Sequence, residues 1–273
     1  MSILVWDKTG ERYYESGVDH GVLYPRNSSG AYPKGVVWNG LTNISESPEG
    51  GEPTDLYADN IKYLSLMSAE KFNFTIECYT YPDEWEACDG SAEIGDGITI
   101  GQQNRQSFGL SYRTKVGNDV AGQDLGYKIH LVYGCLASPS EKAFETINDD
   151  PSAIQFSYSV NTTPVDVPGF KPSATLVIDS RKVDPDVLEV LEGILYGTET
   201  EDAYLPMPED ILDLLDGDTP APPEYTYQAV TPVGTENPAS EGWYERTGSN
   251  EYTPTADNTV VEGKTYYERT LAA

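Results

Sequence analysis

Few residues in this chain have the type and spacing to do chemistry. The two histidines are His20 and His130. His20 follows Asp19 in a glycine-flanked stretch, but adjacency in sequence does not make a catalytic triad, which is defined by geometry. His130 sits in an alternating strand pattern, where a structural or solvent-facing role is expected. No G-x-S-x-G nucleophile elbow occurs. Cys78, Cys88 and Cys135 form no C-x-x-C pair, and their odd number closes no disulfide framework, so buried free thiols are expected. Two histidines and three scattered thiols do not fill a zinc site. Asp89, Glu93 and Asp96 are the best calcium candidates, yet their spacing misses the EF-hand loop and reads as a solvated turn. Gly95 to Gly101 lacks the Lys and Ser/Thr of a phosphate-binding loop. Carboxylate pairs abound by number alone and give no specific support to glycosidase chemistry. The expectation is a protein without catalytic residues, metal or cofactor.

The charge balance excludes whole classes of partner. The 273 residues carry 17 Lys+Arg against 45 Asp+Glu, a formal net charge of -28. Tight sequence-independent binding to nucleic acid needs basic groups that displace phosphate counterions, and docking on an anionic membrane needs the same sign. Acidic charge enters too early for a signal peptide, and no apolar run approaches the ~20 residues of a membrane span. N-x-S/T triplets at Asn27, Asn43, Asn73 and Asn161 then read as chance matches, and a soluble protein made in a reducing cytosol is expected. Twenty Tyr, 6 Phe and 4 Trp supply enough aromatic surface for most of the chain to fold.

The elements that would position any site are mostly strands. Period-two alternation marks Phe72 to Cys78, Phe108 to Tyr112, Tyr127 to Cys135 and Ile154 to Val160. Val36 to Ile44 and Ile61 to Leu66 are further candidates, joined by the turn-rich stretch Glu46 to Thr54. Three short helices are expected. The first opens at Ser138-Pro139-Ser140-Glu141 and carries Ala143, Phe144 and Ile147. The second opens at Asp184-Pro185-Asp186 and stops at Gly197, and the third follows Pro208. The pattern predicts a mainly β protein, an antiparallel barrel or sandwich with flanking short helices.

Composition also divides the chain. Glu199 to Asp218 holds eight acidic residues and no basic one, and Thr219 to Pro223 reads as a stiff linker. Residues 224–273 contain a weak duplication: Thr231-Pro232 precedes Trp243-Tyr244-Glu245-Arg246, and Thr253-Pro254 precedes Tyr266-Tyr267-Glu268-Arg269. The expected organisation is a β domain over 1–218, a Pro-rich linker over 219–223 and a small aromatic-rich β module over 224–273.

An ordered set of stretches carries a family resemblance. It runs through Trp6–Glu15, Gly17–Tyr24, Trp38–Thr42, Glu52–Thr54 with Tyr57–Tyr63, and Tyr81–Trp85. It continues through Ile100–Gln103, Gly126–Gly134 and Ala137–Glu141. Over about residues 1–215 the chain resembles the major tail tube proteins of long-tailed bacteriophages. The resemblance implies a tail-tube-type β fold whose subunits form homohexameric rings. These stack into a hollow tube in the virion tail, assembled in the host cytoplasm, through which genomic DNA passes without tight binding. It implies as partners other copies of the chain and tail proteins such as the tape measure and tail terminator. It brings no catalytic residues.

Three sets of residues follow as candidates. Glu46, Pro48, Glu49, Glu52, Pro53 and Asp55 form a turn-rich, cation-free loop expected to contact a neighbouring ring and to be mobile in the free subunit. The polar strand faces at Asn73, Thr75, Glu77, Gln155, Ser157, Ser159 and Asn161 are expected to line the lumen, with the alternate apolar residues facing the core. Trp243, Tyr244, Tyr266 and Tyr267 are the aromatic set of the C-terminal module, either its core or a surface that stacks on glycans. The alternative function is a virion or cell-surface decoration protein that binds carbohydrate.

Overall fold

The computed structural model describes residues 3–144, 146, 153–217, 220, 225–230, 244–246, 252–254 and 264–271. The chain divides into two compact units, Met1–Pro220 and Ala221–Ala273. In the first unit the elements run β1 (Tyr13–Pro25), β2 (Val36–Trp38), β3 (Leu41–Glu46), β4 (Pro53–Ala58), β5 (Ile61–Met67) and β6 (Asn73–Cys78). They continue with α1 (Trp85–Asp89), β7 (Ala92–Gly95), β8 (Ile98–Ile100), β9 (Phe108–Asn118), β10 (Gly122–Ala137), β11 (Phe156–Thr162) and β12 (Thr175–Asp179). The helices α2 (Pro185–Tyr196) and α3 (Pro208–Asp216) follow. The second unit holds β13 (Tyr225–Val230), β14 (Tyr244–Arg246), β15 (Tyr252–Pro254) and β16 (Tyr266–Leu271).

One antiparallel sheet organises the first unit, in the order β2-β1-β9-β10-β11-β6-β3, with β12 also paired to β10. The ladder does not close into a barrel. Its two end strands are nevertheless consecutive in sequence, separated only by the turn at Asn39-Gly40. β2 pairs with β1 and β3 pairs with β6, so the chain turns a corner there and the sheet curls round on itself. Trp38 fixes the corner by donating its ring N–H to the Thr80 carbonyl at 3.0 Å.

The curled sheet is packed on both faces. Inside it, Leu23, Trp38, Phe74, Ile76, Phe108, Leu110, Val132, Tyr158 and Val160 form one core, into which α1 inserts Trp85. Trp85 packs tilted or edge-on against Trp38, Phe108 and Tyr158 with ring centroids 4.7–5.1 Å apart. The second core lies under α2 and α3. There Val22, Tyr24, Ile129, Leu131 and Tyr133 meet Leu191, Leu195, Ile211 and Leu214. Tyrosine suits this core because it packs an apolar ring and can still hydrogen-bond at its tip. Tyr24 donates to the Leu195 carbonyl at 2.7 Å, and Tyr133 to the Pro206 carbonyl at 3.0 Å, so both tie the helical segment to the sheet.

β10 serves both cores, and the phase of its alternation shifts at Gly134. Tyr133 belongs to the helix-side core and Cys135 to the inner one, across a register break against β9. Gly134 has a φ of 59°, and an added Cβ would collide with the Thr163 carbonyl, so glycine is required.

The helices expected at Asp184 and Pro208 form. Asp184 accepts from Asp186 N at 2.9 Å with Pro185 next, and α2 stops at Gly197. Pro208 opens α3, and Asp210 accepts from Met207 N at 2.7 Å. The helix expected at Ser138 does not form over 138–144. Its cap signal is spent on β11 instead: Ser138 N donates to the Ser159 carbonyl, and the Ser140 hydroxyl accepts from Ser159 N. Ile147 lies outside the described residues. The sequence pattern also gave no notice of β1, β4, β12, α1 or the β7–β8 hairpin.

In the second unit the strand order is β13-β16-β14-β15, and the equivalent tyrosines of the duplication, Tyr244 and Tyr267, are paired across its centre.

Candidate assembly surfaces

The chemistry-bearing residues are engaged as follows among the described residues. Asp19 is engaged by Arg113 at 2.8 and 3.3 Å and by His20 at 2.9 Å. Burial works to raise the Asp19 pKa, but the Arg113 hydrogen bonds and charge, with His20, hold it below the ordinary carboxylate value. His130 stacks on Tyr112 with centroids 4.6 Å apart and shares a 3.0 Å hydrogen bond with Thr114, a structural setting. Cys78, Cys88 and Cys135 are free and buried. Burial pushes the Cys78 and Cys88 thiols up to about 11 and 12, the wrong direction for a nucleophile. Among the described residues no group of three or more His, Cys, Asp or Glu is placed to hold a metal. Of the calcium candidates, Asp89 is taken up by Lys142 at 2.6 Å and Arg105 at 3.4 Å, and Glu93 accepts from Gly97 N at the β7–β8 turn.

The loop expected at Glu46–Asp55 is instead the root and first strand of a projecting arm. Glu46 ends β3, Glu49 forms a bridge with Lys71, and Pro53 to Asp55 already belong to β4. Pro48 and Glu52 lie in the exposed connection between them. Among the described residues β4 and β5 pair only with each other, as a two-stranded ribbon outside the main sheet. Asp59 and Asn60, with φ of 51° and 66°, make the two-residue turn that joins them. Leu56 faces Leu64 and Thr54 faces Leu66, while Asp55 accepts from Ser65 at 2.5 Å and from Lys62 at 2.8 Å. Every residue of β5 is exposed, including Ile61, Tyr63, Leu64, Leu66 and Met67. One signal that could have found the arm is Asp59-Asn60, a two-residue turn pair directly before the apolar run from Ile61. The strand expected at Ile61 to Leu66 forms as β5, with neither face buried within one subunit.

The polar residues of β6 and β11 come together on one face. Asn73 is opposite Asn161, Thr75 opposite Ser159, and Glu77 opposite Ser157. The alternate residues Phe74, Ile76, Cys78, Tyr158 and Val160 are buried in the inner core. β3 extends the polar face with Asn43 beside Glu77 and Ser45 beside Thr75. Gln155 precedes β11 rather than lying in it, yet its amide bonds to Thr42 at 2.9 Å and Glu77 at 3.3 Å. Asn161 donates to Ser138 at 2.7 Å. Apart from Glu77, the set is uncharged.

The described members of the C-terminal aromatic set do not form an exposed platform. Tyr244 and Tyr266 are buried and Tyr267 is half-buried, so two of the four rings are unavailable for stacking on a glycan. Trp243 lies outside the described residues.

Among the described residues no helix is long and apolar enough to cross a membrane. No protein-family model matches this chain, and no curated protein matches it.

Proposed function

We propose that the chain is a structural, self-assembling subunit of a phage tail tube. Its copies form hexameric rings that stack into a hollow tube delivering DNA to the host. The β4–β5 arm carries this reading. A lone two-stranded ribbon is marginal in water, and one whose second strand exposes five large apolar side chains calls for a covering surface. A neighbouring ring supplies one. Open sheet edges add support. Among the described residues β12 pairs only with β10, and Val177 on it is exposed, so its outer edge is free to pair with an adjacent subunit. The sequence resemblance supplies the ring number and the passage of DNA. The polar face of β3, β6 and β11 is the lumen wall in this account. It carries no cation to hold phosphates, which suits a sliding polyanion.

The test is assembly itself. Replacing Leu64 and Leu66 by Lys should leave a folded subunit that stacks no rings. Unchanged tubes from that variant would remove the arm from the mechanism.

A further inference from the structure

A groove of about 980 Å³ opens in the first unit where the start of β1, the start of β10 and the approach to α2 meet. Tyr13 and Tyr14 line it, 58% and 42% exposed, together with Lys128, Arg181 and Lys182. One carboxylate, Glu15, lies among these three cations and pairs with Lys128. Arg181 is held by Asp179 through bonds of 2.8 and 2.6 Å and lies over the Tyr13 ring at 5.3 Å. Lys182 is 77% exposed and reaches only that same Asp179, at 4.0 Å. A concentration of cations beside exposed tyrosines is notable in a chain where acids outnumber bases 45 to 17.

The complementary surface is on α3. Its inner face buries Ile211 and Leu214, which leaves Glu209, Asp213 and Asp216 exposed at helical spacing as one acidic stripe. None of the three joins an ion pair among the described residues. At 1.5 Å per residue the stripe is about 10 Å long, the linear size of a groove of this volume.

We propose that the groove receives the α3 acidic stripe of a second copy of this chain. This rests on the self-assembly reading and says how neighbours within a ring engage. Two bodies of charge -28 repel unless cations of one meet acids of the other. Among the described residues no α3 residue lines the groove of its own subunit. Groove and helix are different patches, so each copy can use its groove toward one neighbour and its helix toward the other, the heterologous geometry that closes rings. The tyrosine wall shields the charge pairs from water and strengthens them.

Zero-length carbodiimide cross-linking of a mixture of ¹⁴N- and ¹⁵N-labelled full-length protein tests the contact directly. Mixed-isotope peptides joining Lys182 or Lys128 to Glu209, Asp213 or Asp216 are expected. Their absence overturns the proposal. Charge exchange provides the second arm. Lys128→Glu with Lys182→Glu should weaken association about tenfold or more, and adding Asp213→Lys with Asp216→Lys should restore most of it. Lys182→Gln, at a largely exposed position, should give a smaller loss without risk to the fold. Association unchanged in the reversed variant, or no recovery on exchange, refutes the contact. Tubes without these cross-links sink the groove assignment alone, while the cross-links without tubes sink the tail tube reading alone.

Discussion

The hydroxyl of Tyr112 donates to the carboxylate of Glu46 at 2.6 Å, linking central strand β9 to the last residue of β3, where the arm leaves the sheet. This bond fixes the root of the arm from inside the curled sheet. Tyr112→Phe should keep the fold and cost about 1–2 kcal/mol, because a hydrogen bond to a charged group is lost. Hydrogen exchange over 53–67 should quicken while β9 and β10 keep their protection. Equal exchange in the two proteins would show that the arm's order is independent of its root.

His130 gives the fold a defined pH response. Burial holds its pKa below the ordinary 6.5, against the pull of Glu46 and Glu15 and with a further depression from Lys128. Below about pH 6.5 the unfolded chain therefore binds more protons than the folded one, and stability falls as the pH drops toward the folded-state value. His130→Phe keeps a ring against Tyr112 and cannot titrate. Denaturant titrations at pH 7 and pH 5 should show a larger loss for the parent than for the variant. Equal losses would contradict the burial argument.

The contrast between β6/β11 and β4/β5 shows what the sequence can say. In β6 and β11 one face is buried within the subunit, so Phe74, Ile76, Tyr158 and Val160 alternate with Asn73, Thr75, Ser157 and Ser159, and the face is legible. β5 has no buried face within one subunit, so its apolar residues follow no alternation that would mark an inner and an outer side. β1 was hidden because Ser16-Gly17-Val18-Asp19 breaks its alternation with register shifts against β9. At Ser138 the local helix-cap signal lost to hydrogen bonds with β11, a tertiary partner no local pattern contains. The groove cations come from β10 and the approach to α2, distant in sequence and adjacent only through the sheet.

Among the described glycines, Gly134 is where an added Cβ would meet the nearest atom. Gly134→Ala combines a positive φ with a collision against Thr163. A loss of roughly 2–4 kcal/mol is expected from backbone strain plus steric displacement. Chemical denaturation should place the midpoint well below the parent's. A midpoint shift too small to detect would show that the bulge relaxes freely.

Truncation after Gly217 should leave the first unit intact, because both of its cores lie within residues 22–214. The truncated protein is expected to unfold in one cooperative transition and still to form tubes. Loss of tubes would make the second unit part of the tube wall.

Electron microscopy of the purified full-length protein tests the central claim most directly. The account predicts hollow tubes of stacked six-fold rings, and isolated subunits or single rings from the Leu64→Lys/Leu66→Lys variant. A parent protein that stays monomeric at every concentration and salt tried, with its arm exposed to solvent, would contradict it.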